Sequence, residues 1–233
     1  MLFRKKKKRI SLQKKEKIIS LLEMERGTSM KLMLPETISL LNINQEWKSI
    51  LINEDVDEKL KKVYKLWNNL GNCLPKTIHS MKKYLIDVDL ILNTDDFSVL
   101  YYFIVNDKFH YYEGKLPKTN YDNSEIDINN LPKSLQFFYY NIHNGFFNNE
   151  FGLISFERID ALKNKKDYIF NEDKDLSKFY PIFQNGLGDY IGYDMLDEKA
   201  VSLLLFHDKM KDVNVDYDFW DLVDVWLNMK FEL

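Results

Sequence analysis

Apolar residues in the first half of the chain follow two different periods in turn. From Asp55 to Leu70 they recur at three- and four-residue spacing, which predicts an amphipathic helix with Gly71 just past its end. Leu74-Pro75 is predicted to open a second helix, since proline fits a first turn where its missing amide hydrogen has no partner. The period then changes to two, which predicts a small antiparallel meander over residues 87–113.

The second half of the chain follows a segment rich in turn-forming residues. Residues 114–130 contain Gly, Pro, Asn and Ser with few apolar positions, which predicts a linker or a long surface loop. Leu131-Pro132 is predicted to open a helix that ends at Asn144-Gly145, because both closing residues tolerate positive φ.

Several strands and one closing helix complete the predicted second half. The strands are expected at residues 152–156, 179–183, 189–194 and 201–206. The last of them is almost continuously apolar, so we expect it to lie centrally in the sheet. Asp216 or Asp218 is expected to cap the closing helix, because a short acidic side chain can accept the free amide hydrogens of a first turn.

Together these elements predict an α+β protein with a mixed, mainly antiparallel sheet flanked by helices. Residues 1–130 form the predicted helical and β-meander region, and residues 131–233 the predicted α+β core, with one continuous domain as the alternative. Either arrangement would bury roughly 70% of the unfolded chain's surface.

Composition limits the class of protein further. Hydrophobic residues at 45% and aromatic residues at 15% are typical of a folded chain. No apolar run approaches the roughly 20 residues of a membrane span, and the basic start is not followed by the apolar stretch of a secretory signal. We therefore expect a cytoplasmic protein without a membrane span. Cys73, the single cysteine, excludes an intramolecular disulfide and a multi-cysteine zinc site.

The net charge of −3 conceals opposite charges at the two ends of the chain. The first seventeen residues are densely basic, which indicates either a solvated, partly frayed lead into a helix or a contact with nucleic acid or an anionic membrane. Nucleic acid is the less favoured partner, because no aromatic residues are interleaved on which bases could stack.

The acidic end, from residue 189 to residue 224, allows three interpretations. These are solvated loops with helix caps, a calcium site, or a negatively charged surface that docks a basic partner. The spacing does not match a calcium-binding loop. For the docking interpretation, the candidate partner-binding residues are Asp189, Tyr190, Asp194, Asp208, Asp212 and Asp216.

Motifs that would indicate catalysis are absent from the sequence. There is no phosphate-binding loop, dinucleotide fingerprint, nucleophile elbow or zinc-protease motif. Asn185-Gly186-Leu187-Gly188 is more typical of a hairpin turn than of a phosphate cradle. His207 beside Asp208 is the one arrangement that could orient a base. We expect no enzymatic activity, no metal, no cofactor and no small-molecule substrate.

The order of motifs in residues 131–233 resembles the SUKH superfamily, whose bacterial members are mostly immunity proteins that neutralise toxins. The pattern is a helix between Leu-Pro and Asn-Gly, a strand near a glycine, an Asn-Gly turn between strands, an apolar strand, and a closing helix rich in Phe and Trp. It is matched here by Leu131-Pro132, Asn144-Gly145, Gly152, residues 179–183, Asn185-Gly186, Gly188, Tyr190, residues 201–206 and residues 219–226.

The resemblance implies a mixed sheet flanked by helices and a non-enzymatic binding function. Because the binding surface differs among family members, it transfers no binding residue to this chain. The expected function is that of an immunity protein that occludes a cognate bacterial toxin domain, for which a nuclease is one candidate. The alternatives are a nucleic-acid-associated or regulatory scaffold that uses the basic amino terminus, and a hydrolase assembled from His207 and nearby acids.

Overall fold

The computed structural model describes residues 9–94, 96–121, 126–148, 154–162, 178–195, 201–208, 214–215 and 217–232. Within them, one ten-stranded sheet has its strands in chain order, and each strand pairs antiparallel with its neighbours. The strands are β1 (Met30–Leu32), β2 (Leu85–Asn93), β3 (Asp96–Val105), β4 (Lys108–Lys115), β5 (Phe146–Asn148), β6 (Ile154–Phe156), β7 (Phe179–Asn185), β8 (Tyr190–Asp194), β9 (Val201–Leu205) and β10 (Asn214–Val215).

Helices lie on both faces of this sheet. They are α1 (Leu12–Arg26), α2 (Pro35–Leu40), α3 (Gln45–Leu51), α4 (Val56–Trp67), α5 (Pro75–Tyr84), α6 (Lys133–Phe137) and α7 (Phe219–Glu232). The predicted α+β class, with a mainly antiparallel sheet flanked by helices, is confirmed.

The first half agrees closely with its periodicity. The meander predicted over residues 87–113 is β2 to β4, and its second turn places Asn106 at φ 49° and Asp107 at φ 60°. Asp55 caps α4 by accepting from the amides of Asp57 and Glu58, and α5 begins at Pro75. Gly71 lies just past the helical segment, as predicted, because a 3₁₀ turn at Asn68–Leu70 continues α4; its φ of −59° is right-handed and not the left-handed value common for a glycine at a helix end.

The segment predicted as a linker is packed against the rest of the protein where it is described. Tyr121 is buried and donates its hydroxyl to the Tyr139 carbonyl oxygen at 2.7 Å. Ile128 belongs to the main core and lies in a 3₁₀ turn at Ile128–Asn130. β4, which leads into this segment, pairs with β5, which follows it in the chain. The sheet is therefore continuous across the predicted boundary at residue 130.

Two details of the second half differ from the prediction. The helix predicted to end at Asn144-Gly145 ends earlier, because α6 passes into a π-helical turn at Phe138–Ile142 and His143 is extended. β5 follows at once, and with three residues it is too short to produce a periodic signal.

The expectation that the apolar strand at residues 201–206 lies centrally was wrong. β9 is second from the edge, and β10 pairs with it only at Leu203 and Leu204. Its apolar run has another cause, since both of its faces are buried. Leu204 joins the main core, while Leu203 and Leu205 form a separate cluster with Phe179.

Two hydrophobic layers lie on opposite faces of the sheet. The main core joins the sheet to α3, α4, α5 and α7 and is rich in aromatic residues, including Trp47, Trp67 and Phe138. The smaller layer packs Ile18, Ile19 and Leu22 of α1 against β2 and β3. Asp218 caps α7 by accepting from the amides of Trp220 and Asp221, as predicted, whereas Asp216 lies outside the described residues.

Ion pairs connect both layers to the first part of β2, which precedes the residues paired with β1. Lys15 of α1 lies 2.6 Å from an Asp87 carboxylate oxygen and 2.8 Å from one of Asp89. Lys59 of α4 reaches the same Asp87 at 3.2 Å and donates to the Val88 carbonyl oxygen at 3.1 Å. Burial lowers the pKa of Lys15, but the carboxylates of Asp89 and Asp87 outweigh burial and raise it.

Within the described residues, this arrangement corrects the expectation of a solvated basic lead at two positions, whereas residues 1–8 lie outside them. Lys15 belongs to the buried network, and the Lys14 ammonium lies 3.5 Å from the centre of the Phe109 ring. Near the other end of α1, Arg26 pairs with the buried Glu113 at 2.5 Å. The helix is therefore attached to the sheet by charged contacts as well as by its apolar face.

Candidate functional site

The turn between β7 and β8 is the hairpin that the sequence predicts. Gly186 and Gly188 have φ of 79° and 97°, a region that favours glycine. The Asn185 side-chain oxygen accepts from the amides of Leu187 at 2.8 Å and Asp189 at 3.2 Å. These bonds hold the backbone of the turn in one conformation, and they leave Leu187 67% exposed at its tip.

Asp189 joins this turn to the end of β9. One carboxylate oxygen accepts from the His207 backbone amide at 3.0 Å and lies 2.8 Å from His207 Nδ1, while the other accepts from the Asn185 side-chain Nδ2 at 2.7 Å. Asp189 is only 9% exposed, so the expectation of an exposed docking carboxylate at this position was wrong. A carboxyl group that accepts several hydrogen bonds is better suited to fixing a turn than to meeting a partner.

The Asp189–His207 pair shifts the protonation of both groups. Burial raises the pKa of Asp189, but hydrogen bonds from His207 and Asn185 outweigh it and lower that pKa overall. The hydrogen bond to Asp189 raises the pKa of His207. Such a pair can orient a general base, but here the Asp189 carboxylate also holds the backbone amide of His207, beyond β9, and the Asn185 side chain of the turn.

The remaining predicted binding residues occupy different places. Asp208 is exposed and follows His207, at the same end of β8 as the turn. Tyr190 and Asp194 are half-buried at opposite ends of β8, four residues and therefore about 13 Å apart at roughly 3.3 Å per residue. Asp212 and Asp216 lie outside the described residues.

One end of β8 thus brings together four side chains of complementary chemistry, which we name the hairpin-tip surface: Leu187, Tyr190, His207 and Asp208. It contains an exposed aliphatic side chain, an aromatic ring, an imidazole and a carboxylate. Sequence reasoning missed Leu187. The signal for it was a leucine between two turn glycines, where a tight hairpin leaves little room to bury a side chain.

A second histidine is wholly internal. His143 Nε2 lies 2.6 Å from the Tyr101 hydroxyl, which accepts from Trp67 Nε1 at 3.0 Å, and His143 Nδ1 lies 3.1 Å from the Lys115 carbonyl oxygen. Burial lowers the pKa of His143 to about 3, so the ring is neutral at physiological pH. Nδ1 therefore donates to the carbonyl and Nε2 accepts from Tyr101. Because these groups are buried and mutually bonded, we assign them a structural role.

The helices that cover the main core carry a basic face that sequence reasoning also missed. Residues 59–84 contain seven lysines and no Asp or Glu. Most of these lysines are exposed on α4 and α5, as is His79, and three cationic or imidazole side chains line a cleft between α5 and α7.

Neither a metal cluster nor a membrane span is found in the part of the chain that the structure describes. No three His, Cys, Asp or Glu residues there are grouped so that they could hold a metal ion. None of the helices there is long and apolar enough to cross a membrane.

The fold and the hairpin-tip surface define an α+β protein with an antiparallel sheet between helical layers. No protein-family model, curated protein or solved structure matches this chain.

Proposed function

We propose that this protein is an immunity protein that binds a cognate bacterial toxin domain in the cytoplasm and neutralises it by covering its active surface. The hairpin-tip surface is the proposed centre of contact. Asp194, Asp212 and Asp216 are proposed as further contact carboxylates, whereas Asp189 acts by fixing the turn. Occlusion requires no turnover, so the proposal includes no catalytic residue, metal or cofactor.

The resemblance to the SUKH superfamily is the first support for this proposal. In the second half, α6 follows Leu131-Pro132, an Asn185-Gly186 turn joins β7 to β8, and the apolar β9 precedes α7. Phe219 and Trp220 of α7 pack on Phe156 in the main core. This order of elements is the one that the resemblance implies.

The single observation that carries the proposal is an exposed leucine on a rigid turn. Burying a leucine side chain is worth about 1.5–3 kcal/mol, and a turn already held by hydrogen bonds loses little conformational entropy on binding. Tyr190 adds an aromatic group of the kind that is frequent in binding hot spots. The surface therefore has the components of a small, preorganised interface.

Charge favours a basic partner. Asp208 is the exposed carboxylate of the hairpin-tip surface, and complementary charge increases the rate of association. Nuclease domains have basic surfaces because they bind phosphate. A nuclease toxin would therefore fit the proposed surface.

The test is protection of cells that express a candidate toxin domain, and the gene immediately upstream of this protein is the first place to look for one. We expect the wild type to protect, and Leu187→Lys with Asp208→Lys to reduce survival at least tenfold while circular dichroism stays native. Leu40→Lys is the matched control, because Leu40 is 86% exposed on α2. Full protection by the doubly substituted variant would move the interface elsewhere, and a wild type that fails to neutralise this toxin would contradict the immunity function.

The alternative scaffold function, which uses the basic amino terminus, receives less support. Lys15 is paired with Asp87 and Asp89, and the Lys14 ammonium lies over the Phe109 ring, so both already have partners within the fold. Residues 1–8 lie outside the described residues.

A further inference from the structure

A cleft of about 380 Å³ opens between α5 and α7, away from the hairpin-tip surface. Its lining combines positively charged, imidazole, aromatic and amide groups: Lys76, His79, Lys83, Tyr84, Asn228 and Phe231. The volume falls within the range of small-ligand sites, roughly 300–1,000 Å³. None of these residues takes part in the proposed toxin contact.

The basic groups of the cleft form one stripe. Lys76, His79 and Lys83 are spaced three and four residues apart, which places them on one face of α5, and all three are exposed. Asp224 of α7 lies close by, but its two oxygens accept from the amides of Lys76 at 2.9 Å and Thr77 at 2.7 Å. It therefore caps α5 and leaves the lysine ammonium groups directed to the cleft and solvent.

The aromatic part of the cleft consists of two stacked rings. The centroids of Tyr84 and Phe231 are 5.9 Å apart and their planes 9° apart. The Lys83 ammonium lies 4.5 Å from the Tyr84 centroid, so a base that stacks on this ring would displace the ammonium, which could then contact a phosphate. Asn228 on the cleft wall is fixed by a hydrogen bond from the Ser80 hydroxyl at 2.5 Å.

We propose that this cleft binds single-stranded nucleic acid, with one base against Tyr84 and the adjoining phosphates on Lys76 and Lys83. Base-on-aromatic stacking combined with lysine contacts to phosphate is the usual chemistry of single-strand binding. A duplex keeps its bases stacked inside and could use only the lysines. An acidic peptide or an anionic membrane would also meet the lysines without filling the aromatic recess.

The test is fluorescence anisotropy with the whole chain and a labelled thymidylate strand of about 12 nucleotides, a typical site size. We expect binding that weakens as salt rises. Lys76→Glu with Lys83→Glu should weaken it at least tenfold at low salt and reduce the slope of log K against log salt by about 1.4, since each single-strand phosphate contact contributes about 0.7. Lys31→Glu with Lys108→Glu, on exposed positions of β1 and β4, gives the same change in net charge and should alter binding less than threefold.

A second variant separates stacking from charge. Tyr84→Leu keeps an apolar side chain and removes the flat ring, so it should weaken oligonucleotide binding and leave inorganic polyphosphate binding unchanged. If the charge reversals lower the melting temperature, Lys76→Gln with Lys83→Gln replaces them, with a smaller expected loss in the same direction.

Several outcomes would overturn the proposal. They are no oligonucleotide binding by the wild type at low salt, equal losses in the two charge-reversal pairs, and binding of polyglutamate or anionic vesicles at least as tight as that of the strand.

The proposal does not depend on toxin neutralisation. Failure of the oligonucleotide assay would leave the hairpin-tip surface untested, and loss of protection by the Leu187 variant would leave this cleft intact.

Discussion

Charged residues serve different purposes in the meander and in the hairpin. In β2, Asp87 and Asp89 are enclosed by Lys15 and Lys59, which come from helices on opposite faces of the sheet. In the hairpin, Asp189 fixes the turn while Asp208 beside it stays exposed. Asp87 is buried and Asp89 half-buried because lysines from both helical layers reach them, whereas Asp208 has no such lysine among the ion pairs that the described residues form.

Removing the centre of the β2 network should have the largest effect. Asp87→Ala leaves Lys59 buried without one of its carboxylate partners, and breaking a buried ion pair typically costs about 3–5 kcal/mol. Urea unfolding should show this loss in the free energy of unfolding. Glu54→Ala, at an exposed position just before α4, is the control and should change it by less than about 0.5 kcal/mol. A loss below 1 kcal/mol for Asp87→Ala would mean that the network contributes little to attaching the layers.

The buried hydrogen bonds that join Trp67, Tyr101 and His143 should show the next largest effect. Tyr101→Phe removes the hydroxyl that accepts from Trp67 Nε1 and donates to His143 Nε2, and leaving buried polar groups unpaired costs about 1–3 kcal/mol. Phe103→Tyr on the same strand would not serve as a control, because it adds a buried hydroxyl. Tyr217→Phe is suitable, since Tyr217 is 41% exposed. Equal free energies of unfolding for the two variants would contradict a stabilising role for the hydrogen bonds of the Tyr101 hydroxyl.

Much of the first half could be predicted because its signals are local. The change of period at residue 87, the proline at α5 and the apolar spacing of α4 each depend on a few neighbouring residues. The binding residues could not be predicted as well, because their exposure depends on distant partners. Asp189 is occupied by His207, eighteen residues away, and the apolar β9 is buried on both faces although it lies near the sheet edge. The exposure of Leu187 could not be predicted either, because it depends on the hydrogen bonds that hold the turn.

A smaller effect is expected for the Asp189–His207 pair. Asp189→Asn should return the His207 pKa toward its ordinary value of about 6.5. A raised pKa in the folded state means that the pair stabilises the fold fully below about pH 6.5 and loses this contribution as pH rises through the folded value. Titration of the His207 ring by nuclear magnetic resonance measures this directly. Asp208→Asn should lower the pKa less, since Asp208 contributes only a smaller charge interaction. An unchanged His207 pKa in Asp189→Asn would mean that the pair does not form in solution.

The smallest effect on stability is expected at the residue that we place at the centre of the interface. Leu187 is 67% exposed, so Leu187→Ala removes little buried surface and should change the free energy of unfolding by less than about 0.5 kcal/mol. The turn is held by Asn185, Gly186 and Gly188, none of which the substitution alters. Urea unfolding and toxin protection measured on the same variant then separate the two roles. Unchanged stability with reduced protection supports the hairpin-tip surface, whereas a loss above 1 kcal/mol would show that Leu187 packs within the fold and would remove the main reason for proposing a contact there.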